Sequence, residues 1–161
     1  MQPVLGFYKG STPCCKLRVS GLDQNTALEF TAIIDTGFDG FLLMPTPAGV
    51  PLGLVGRVTT EIIQADGKEK PTSAGEGLVG IGGEERQGLI ILQDDAQDIL
   101  IGTELLTSFG AMLLYGSRIV IIFDEAEMFA KGGPPMKALA DITAAESEKH
   151  AAEDEPQELP F

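Results

Sequence analysis

The sequence predicts a mainly β fold, a small closed β-barrel with one short helix. Three observations carry this. Glycine accounts for 20 of 161 residues, well above the usual share of about 7 %, which favours many turns and short strands over a helical bundle. Short apolar or alternating runs recur at intervals of about 8–12 residues, with turn signals between them. Only one segment, residues 103–109, carries both a helix start and a helix stop.

The elements follow in order. Residues 16–20 alternate polar and apolar, as a half-buried strand does. Residues 28–34 continue the pattern after the turn-forming Asp23-Gln24-Asn25, so the two runs form a hairpin. Residues 41–44 are a short apolar run, stopped by Pro45 and Pro47. Residues 58–64 make another strand, which meets a tight turn at Ala65-Asp66-Gly67-Lys68, where Asp-Gly is a strong hairpin signal. Strands are expected at 77–81 and 88–92, and at 111–114 and 119–123, the last two joined at Tyr115-Gly116-Ser117. The helix at 103–109 takes Thr103 as its cap and closes at Gly110.

The length suits one domain with a modest core. The composition shifts near residue 130: residues 1–130 hold 8 basic and 17 acidic side chains, a net −9, and residues 131–161 hold 3 and 7, a net −4. The second stretch opens on Gly132-Gly133-Pro134-Pro135, which breaks regular structure. Residues 1–130 are therefore expected to form the folded domain, and 131–161 an acidic, mostly disordered tail. The total charge of −13 argues against nucleic acid as a partner, since that needs a basic face to replace counterions. It argues equally against docking on an anionic membrane.

Single residue types exclude more. The one histidine, His150, lies in the tail, so triad chemistry, a Cys-His pair or a His-rich zinc site has little to build on. No metal and no organic cofactor is expected. Cys14 and Cys15 are adjacent, where a mutual bridge is strained, so no disulfide framework is implied. The first ten residues show no signal-peptide pattern, and no apolar stretch approaches a membrane span. A cytoplasmic location is the expectation.

One segment carries chemistry. Residues 30–41 run from an apolar strand straight into Asp35-Thr36-Gly37, so the aspartate sits among apolar neighbours. Two carboxylates placed side by side cannot both ionise and so share a proton. One then takes a proton from water while the other gives one to a substrate carbonyl. This is aspartic-protease chemistry, for which the two carboxylates of pepsin are the standard example. Thr36 offers a hydroxyl to brace the turn, and Gly37 lets backbone amides approach the carboxylate. The chain holds a single Asp-Thr-Gly, so a second aspartate must come from another copy, as a homodimer with Asp35 of each subunit on the twofold axis.

Over about residues 15–124 the sequence resembles the retropepsin-like aspartic proteases, and three places carry the resemblance. Ile33-Ile34-Asp35-Thr36-Gly37 looks like the catalytic motif. Ile99-Leu100-Ile101-Gly102, leading into Thr103-Glu104-Leu105-Leu106, looks like the hydrophobic-hydrophobic-Gly segment that packs beside the catalytic loop. Ala65, Asp66 and Gly67 stand where the family places its flap, the hairpin that closes over substrate. The resemblance implies a retropepsin-like barrel, an aspartic-type endopeptidase, homodimer formation and a peptide or protein substrate. Asp35, Thr36 and Gly37 become the catalytic set, with Phe38 and Gly102 supporting the site.

The residue after the motif departs from the usual Ala or Ser. Phe38 looks like the prokaryotic branch, whose motif reads Asp-Thr-Gly-Phe. A bulky ring there would narrow the cleft or reshape the dimer contact. The terminal strands that build much of the dimer sheet in viral members are followed here by a tail, so the dimer is expected to seal differently. The competing reading is a catalytically inactive dimerisation or peptide-binding module, and a third is a plain β-barrel binding domain. Gly75-Glu76-Gly77-Leu78-Val79-Gly80 matches a dinucleotide-binding pattern but opens no helix, so its glycines read as strand ends, bulges and turns. Asp39-Gly40 reads as an ordinary turn, and Asp94, Asp95 and Asp98 as a solvated acidic loop.

Overall fold

The structure, a computed structural model, describes residues 1–23, 25–54, 58–63 and 69–126. The chain divides into two units, Met1–Glu125 and Ala126–Phe161. The fold is mainly β. Its strands are β1 (Val4–Lys9), β2 (Thr12–Gly21), β3 (Ala27–Ile34), β4 (Leu42–Pro45), β5 (Val58–Ile63), β6 (Glu69–Ile81), β7 (Glu84–Gln93), β8 (Leu100–Ile101), β9 (Ala111–Tyr115) and β10 (Ile119–Asp124). They pair in the order β5-β6-β7-β4-β8-β3-β2-β1-β10-β9.

The hairpins read from the sequence are present. β2 and β3 run antiparallel with Cys14 opposite Ile33 and Ser20 opposite Ala27. In their turn, Asp23 Oδ1 accepts the Asn25 amide at 3.2 Å. β9 and β10 pair antiparallel, and the Gly116 amide donates to the Ile119 carbonyl at 2.8 Å to close the turn. β5 and β6 pair from Val58–Ala74 to Ile63–Glu69. β2 also pairs with β6, Arg18 with Gly80 through Gly21 with Gly77. The sequence did not anticipate β1, which takes both neighbours from its own chain: β2 on one edge and β10 on the other.

Two helical segments connect the strands. Residues 41–44 end in α1 (Thr46–Gly49), a single turn that runs into a 3-10 turn at Val50–Leu52. The prolines that stop the strand also start this turn, because their fixed φ and missing amide suit a first helical turn. α2 (Thr103–Ser108) is the helix the sequence predicted. Its N-cap is Gly102 rather than Thr103, and no side chain caps it. Thr103 is the first helical residue, and its hydroxyl reaches the Phe38 carbonyl at 3.4 Å. At the other end Gly110 takes φ +59°, the left-handed geometry that ends a helix.

Alternation along the strands sorts the side chains onto two faces. Cys15, Leu17 and Val19 of β2, Ala32 and Ile34 of β3, Leu42 and Met44 of β4 and Ile90 and Leu92 of β7 pack with Leu105 and Leu106 of α2 and with Phe109 just after it in the main core. The intervening residues Leu43 and Ile91 face the other way and pack with Ala74, Phe38, Leu89, Ala96 and Leu100 in a smaller cluster. Each fully buried aliphatic side chain contributes about 1.5–3 kcal/mol, so the short strands β4 and β8 are held by burial more than by their few ladder bonds.

Candidate active site

Asp35 stands where β3 leaves the sheet. β3 runs parallel to β8, with Ile33 opposite Leu100 and Ile34 opposite Ile101. The ladder carries one residue further, since the Asp35 amide donates to the Ile101 carbonyl at 3.0 Å. This fixes the Cα of Asp35 by the sheet itself. The side chain is half-buried, and Thr36 and Gly37 are exposed beyond it.

The carboxylate and the turn are held by backbone. The Gly37 amide donates to Asp35 Oδ1 at 2.9 Å, and the Phe38 amide to the Asp35 carbonyl at 3.2 Å. A Cβ on Gly37 would stand 3.2 Å from Oδ1, so glycine permits this approach. Among the described residues no hydrogen bond involves the Thr36 hydroxyl; the bracing comes from the amides of Gly37 and Phe38.

The loop is closed from behind by the start of α2. The Thr103 amide donates to the Phe38 carbonyl at 2.9 Å, and the Gly102 amide to the Phe41 carbonyl at 3.2 Å. Gly102 lies so close to the Gly40 carbonyl and the Phe38 ring that a Cβ there would overlap both. Its φ of −95° is ordinary, so only space demands glycine. The structure thus brings Asp35, Gly37, Phe38 and Gly102 together in one knot.

Phe38 turns into the protein. Its ring covers Gly40, where a Cβ would meet ring carbons, and packs with the cluster of Leu43 and Leu100. Gly40 therefore serves the packing of Phe38 and the approach of Gly102, beyond any turn it makes. Ala65, Asp66 and Gly67 lie outside the described residues, as does His150. The strands that lead to and from 65–67 are the antiparallel pair β5 and β6.

The remaining motifs resolve simply. Gly75, Gly77 and Gly80 lie inside β6, paired with β7; they are neither strand ends nor the start of a helix. Gly77 admits the Ser20 carbonyl and Ile90 at distances no Cβ would allow. No cluster of metal-ligating side chains occurs among the described residues, where Asp98 pairs loosely with Lys9 at 3.8 Å. Both cysteines are free and buried, and burial pushes the Cys15 thiol up to about 12, which leaves it unreactive at neutral pH. Among the described residues no helix is long and apolar enough to cross a membrane.

No family model matches the chain, and no curated protein matches it. Solved structures do. A retropepsin-like aspartic protease from Rickettsia conorii superposes with a TM-score of 0.54 at 13 % identity, over 74 % of this chain and 89 % of that one. The EIAV protease, solved in complex with the inhibitor HBY-793, gives 0.51 at 20 % identity, over 67 % of this chain and 98 % of that one. On these superpositions the chain has the fold of the retropepsin-like aspartic proteases.

Proposed function

We propose that the protein is an aspartic endopeptidase that works as a homodimer, with Asp35 of each subunit supplying half of the catalytic dyad. The observation that carries this is the fixed Asp35 loop in a fold shared with aspartic proteases. The aspartate is anchored by the sheet through its amide and by Gly37 through Oδ1, while the turn tip stays exposed. An exposed tip on one subunit is the shape expected of a loop that meets its own copy. In the dimer one carboxylate takes a proton from water, and the resulting hydroxide attacks the scissile carbonyl. The other carboxylate protonates the carbonyl oxygen. The pair shares one proton at rest because two adjacent negative charges repel.

Residues 1–130 form the protease domain in this reading, and 131–161 an acidic appendage. Ala65, Asp66 and Gly67 serve as the flap tip over a peptide or protein substrate, and Phe38 marks the prokaryotic branch with its Asp-Thr-Gly-Phe motif. Gly102 and Phe38 support the loop from behind. Neither a cofactor nor a nucleic-acid or membrane partner is required. Two free thiols are in keeping with work in a reducing cytoplasm.

The test compares the parent protein with Asp35→Asn on a broad peptide library at acidic and neutral pH, with titration by a statine-type inhibitor. Cleavage by the parent, lost in Asp35→Asn, is expected. Equal cleavage by both defeats the reading. A dimer that neither cleaves nor binds the inhibitor is instead the inactive peptide-binding or dimerisation module.

A further inference from the structure

We infer that Arg86 is a positioning residue for the Asp35 loop, acting at a distance through α2. Its effect on catalysis rests on the reading of Asp35 above; its effect on the loop does not. Arg86 lies on β7, and its guanidinium meets the far end of the helix. Nε donates to the Ser108 carbonyl at 2.9 Å, and the group lies 4.7 Å over the Phe109 ring. Ser108 is the last residue of α2 and Phe109 its C-cap. Carbonyls of a last turn have no partner within the helix, and α2 has no basic residue of its own there. Arg86 supplies the missing cation from the neighbouring strand. The planar group uses its edge for hydrogen bonds and its face for the ring, which a lysine cannot do.

The guanidinium is itself aimed. Nη2 donates to Glu84 Oε2 at 2.7 Å and Nη1 to the Glu85 carbonyl at 3.0 Å. The Glu84 carboxylate also holds the Met1 amine, which pairs with Asp124 Oδ2 at 3.0 Å. The Gln2 amide binds the Gly82 carbonyl at 3.0 Å, and the Glu125 amide the Gly110 carbonyl at 2.8 Å. One corner thus joins the chain start, the β6–β7 turn, the end of β10 and the end of α2.

The opposite end of α2 is the Gly102-Thr103 pair that holds Phe38 and Gly40. Six residues span about 9 Å, under two turns, so the helix acts as a strut. A shift at Ser108 reaches the back of the Asp35 loop. The side chains of Arg86 and Glu84 are 34 % and 39 % exposed, and exposed pairs add little stability. The corner is therefore worth more for aiming α2 than for holding the fold.

Hydrogen exchange measured by NMR tests this in Arg86→Ala and Arg86→Lys, with Val19→Ala, two strands across from Arg86, as a core-weakening control that removes none of the corner's own contacts. In Arg86→Ala the Thr103 and Gly37 amides should exchange at least tenfold faster relative to core amides of β6. Arg86→Lys, which keeps one contact at most, should fall between, and Val19→Ala should show no selective change. If the two amides in Arg86→Ala follow the core as they do in Val19→Ala, the inference is wrong. The second readout is rate per inhibitor-titrated site. Small misplacements at a catalytic centre are costly, so kcat in Arg86→Ala should fall about tenfold with KM within twofold. A lower count of titratable sites with kcat per site unchanged would mean a structural role only and overturn the inference. If the parent itself shows no Asp35-dependent cleavage, that defeats the protease reading, and the exchange rates still decide the role of Arg86 on the loop.

Discussion

The Asp35 loop and the corner at Met1 sit at the two ends of one short helix and are held by different forces. The loop is fixed by backbone amides and by glycines that let chain segments touch. The corner is held by two backbone bonds and, beyond them, by charges: the Met1 amine, Glu84, Arg86 and Asp124. A backbone amide does not titrate, so the loop's backbone–backbone bonds are indifferent to pH and salt, and only the Gly37 bond ends on a titratable group, the Asp35 carboxylate. The corner can be loosened by pH, by salt or by one substitution. The molecule places permanent bonds where chemistry is expected and adjustable ones behind them.

The largest break in this comparison is Gly102→Ala. The added methyl has backbone on one side and the Phe38 ring on the other, and overpacking of this kind costs about 3 kcal/mol. Urea unfolding should show that loss, and proteolysis of the peptide library should vanish with it. Phe38→Ala comes next. The ring is half-buried, so about 2 kcal/mol is expected, less than for a fully buried phenylalanine. Its signature is a loosened loop and a lower kcat. A gain in kcat would show that the ring obstructs the cleft after all. Gly110→Ala sharpens the contrast with Gly102. It has free space around it and a φ of +59°, so its cost is conformational, about 1 kcal/mol, with little change in rate per titrated site.

The smallest effect belongs to the corner and depends on pH. The hydrogen bonds that the Met1 amine donates to Glu84 and Asp124 raise it above its ordinary value of 8.0. The Met1 amine, followed by Arg86, lowers Glu84 below 4.5. A raised amine contributes fully below 8.0 and is lost as pH climbs through its folded value. A lowered carboxylate contributes fully above 4.5 and is lost as pH falls through its folded value. The corner therefore helps most between these limits. Glu84→Gln should lower Tm slightly inside that window and leave it unchanged well below pH 4. A uniform drop at every pH would show that the charge plays no part.

Local pattern carried much of the fold. The β2–β3 and β9–β10 hairpins were legible because alternation and turn residues are properties of neighbours in sequence. The Asp35-Thr36-Gly37 turn and the Gly102 segment were legible for the same reason. What stayed hidden depends on distant partners. β1 reads as nothing in particular until Val4 meets Ile122. The first half of β6 is polar and holds Pro71, and it is a strand because β5 lies beside it. Thr103 looked like a cap on propensity alone, but Gly102 must occupy that place to admit the Gly40 carbonyl. The inward turn of Phe38 follows from two glycines, one of them 64 positions away in sequence. Arg86 gave no signal, since its targets, the Ser108 carbonyl and the Phe109 ring, lie far along the chain from it.

The pairing of β1 has a practical meaning for control. Val4–Phe7 pairs with β10 and Phe7–Lys9 with β2, all within one chain, so in the proposed dimer a subunit apart from its partner would keep this strand paired. Subunits of the proposed dimer would then part and rejoin without rebuilding β1. Activity would then follow the square of protein concentration when dilute and its first power when crowded. In the proposed dimer, expression level would then act as the on-switch.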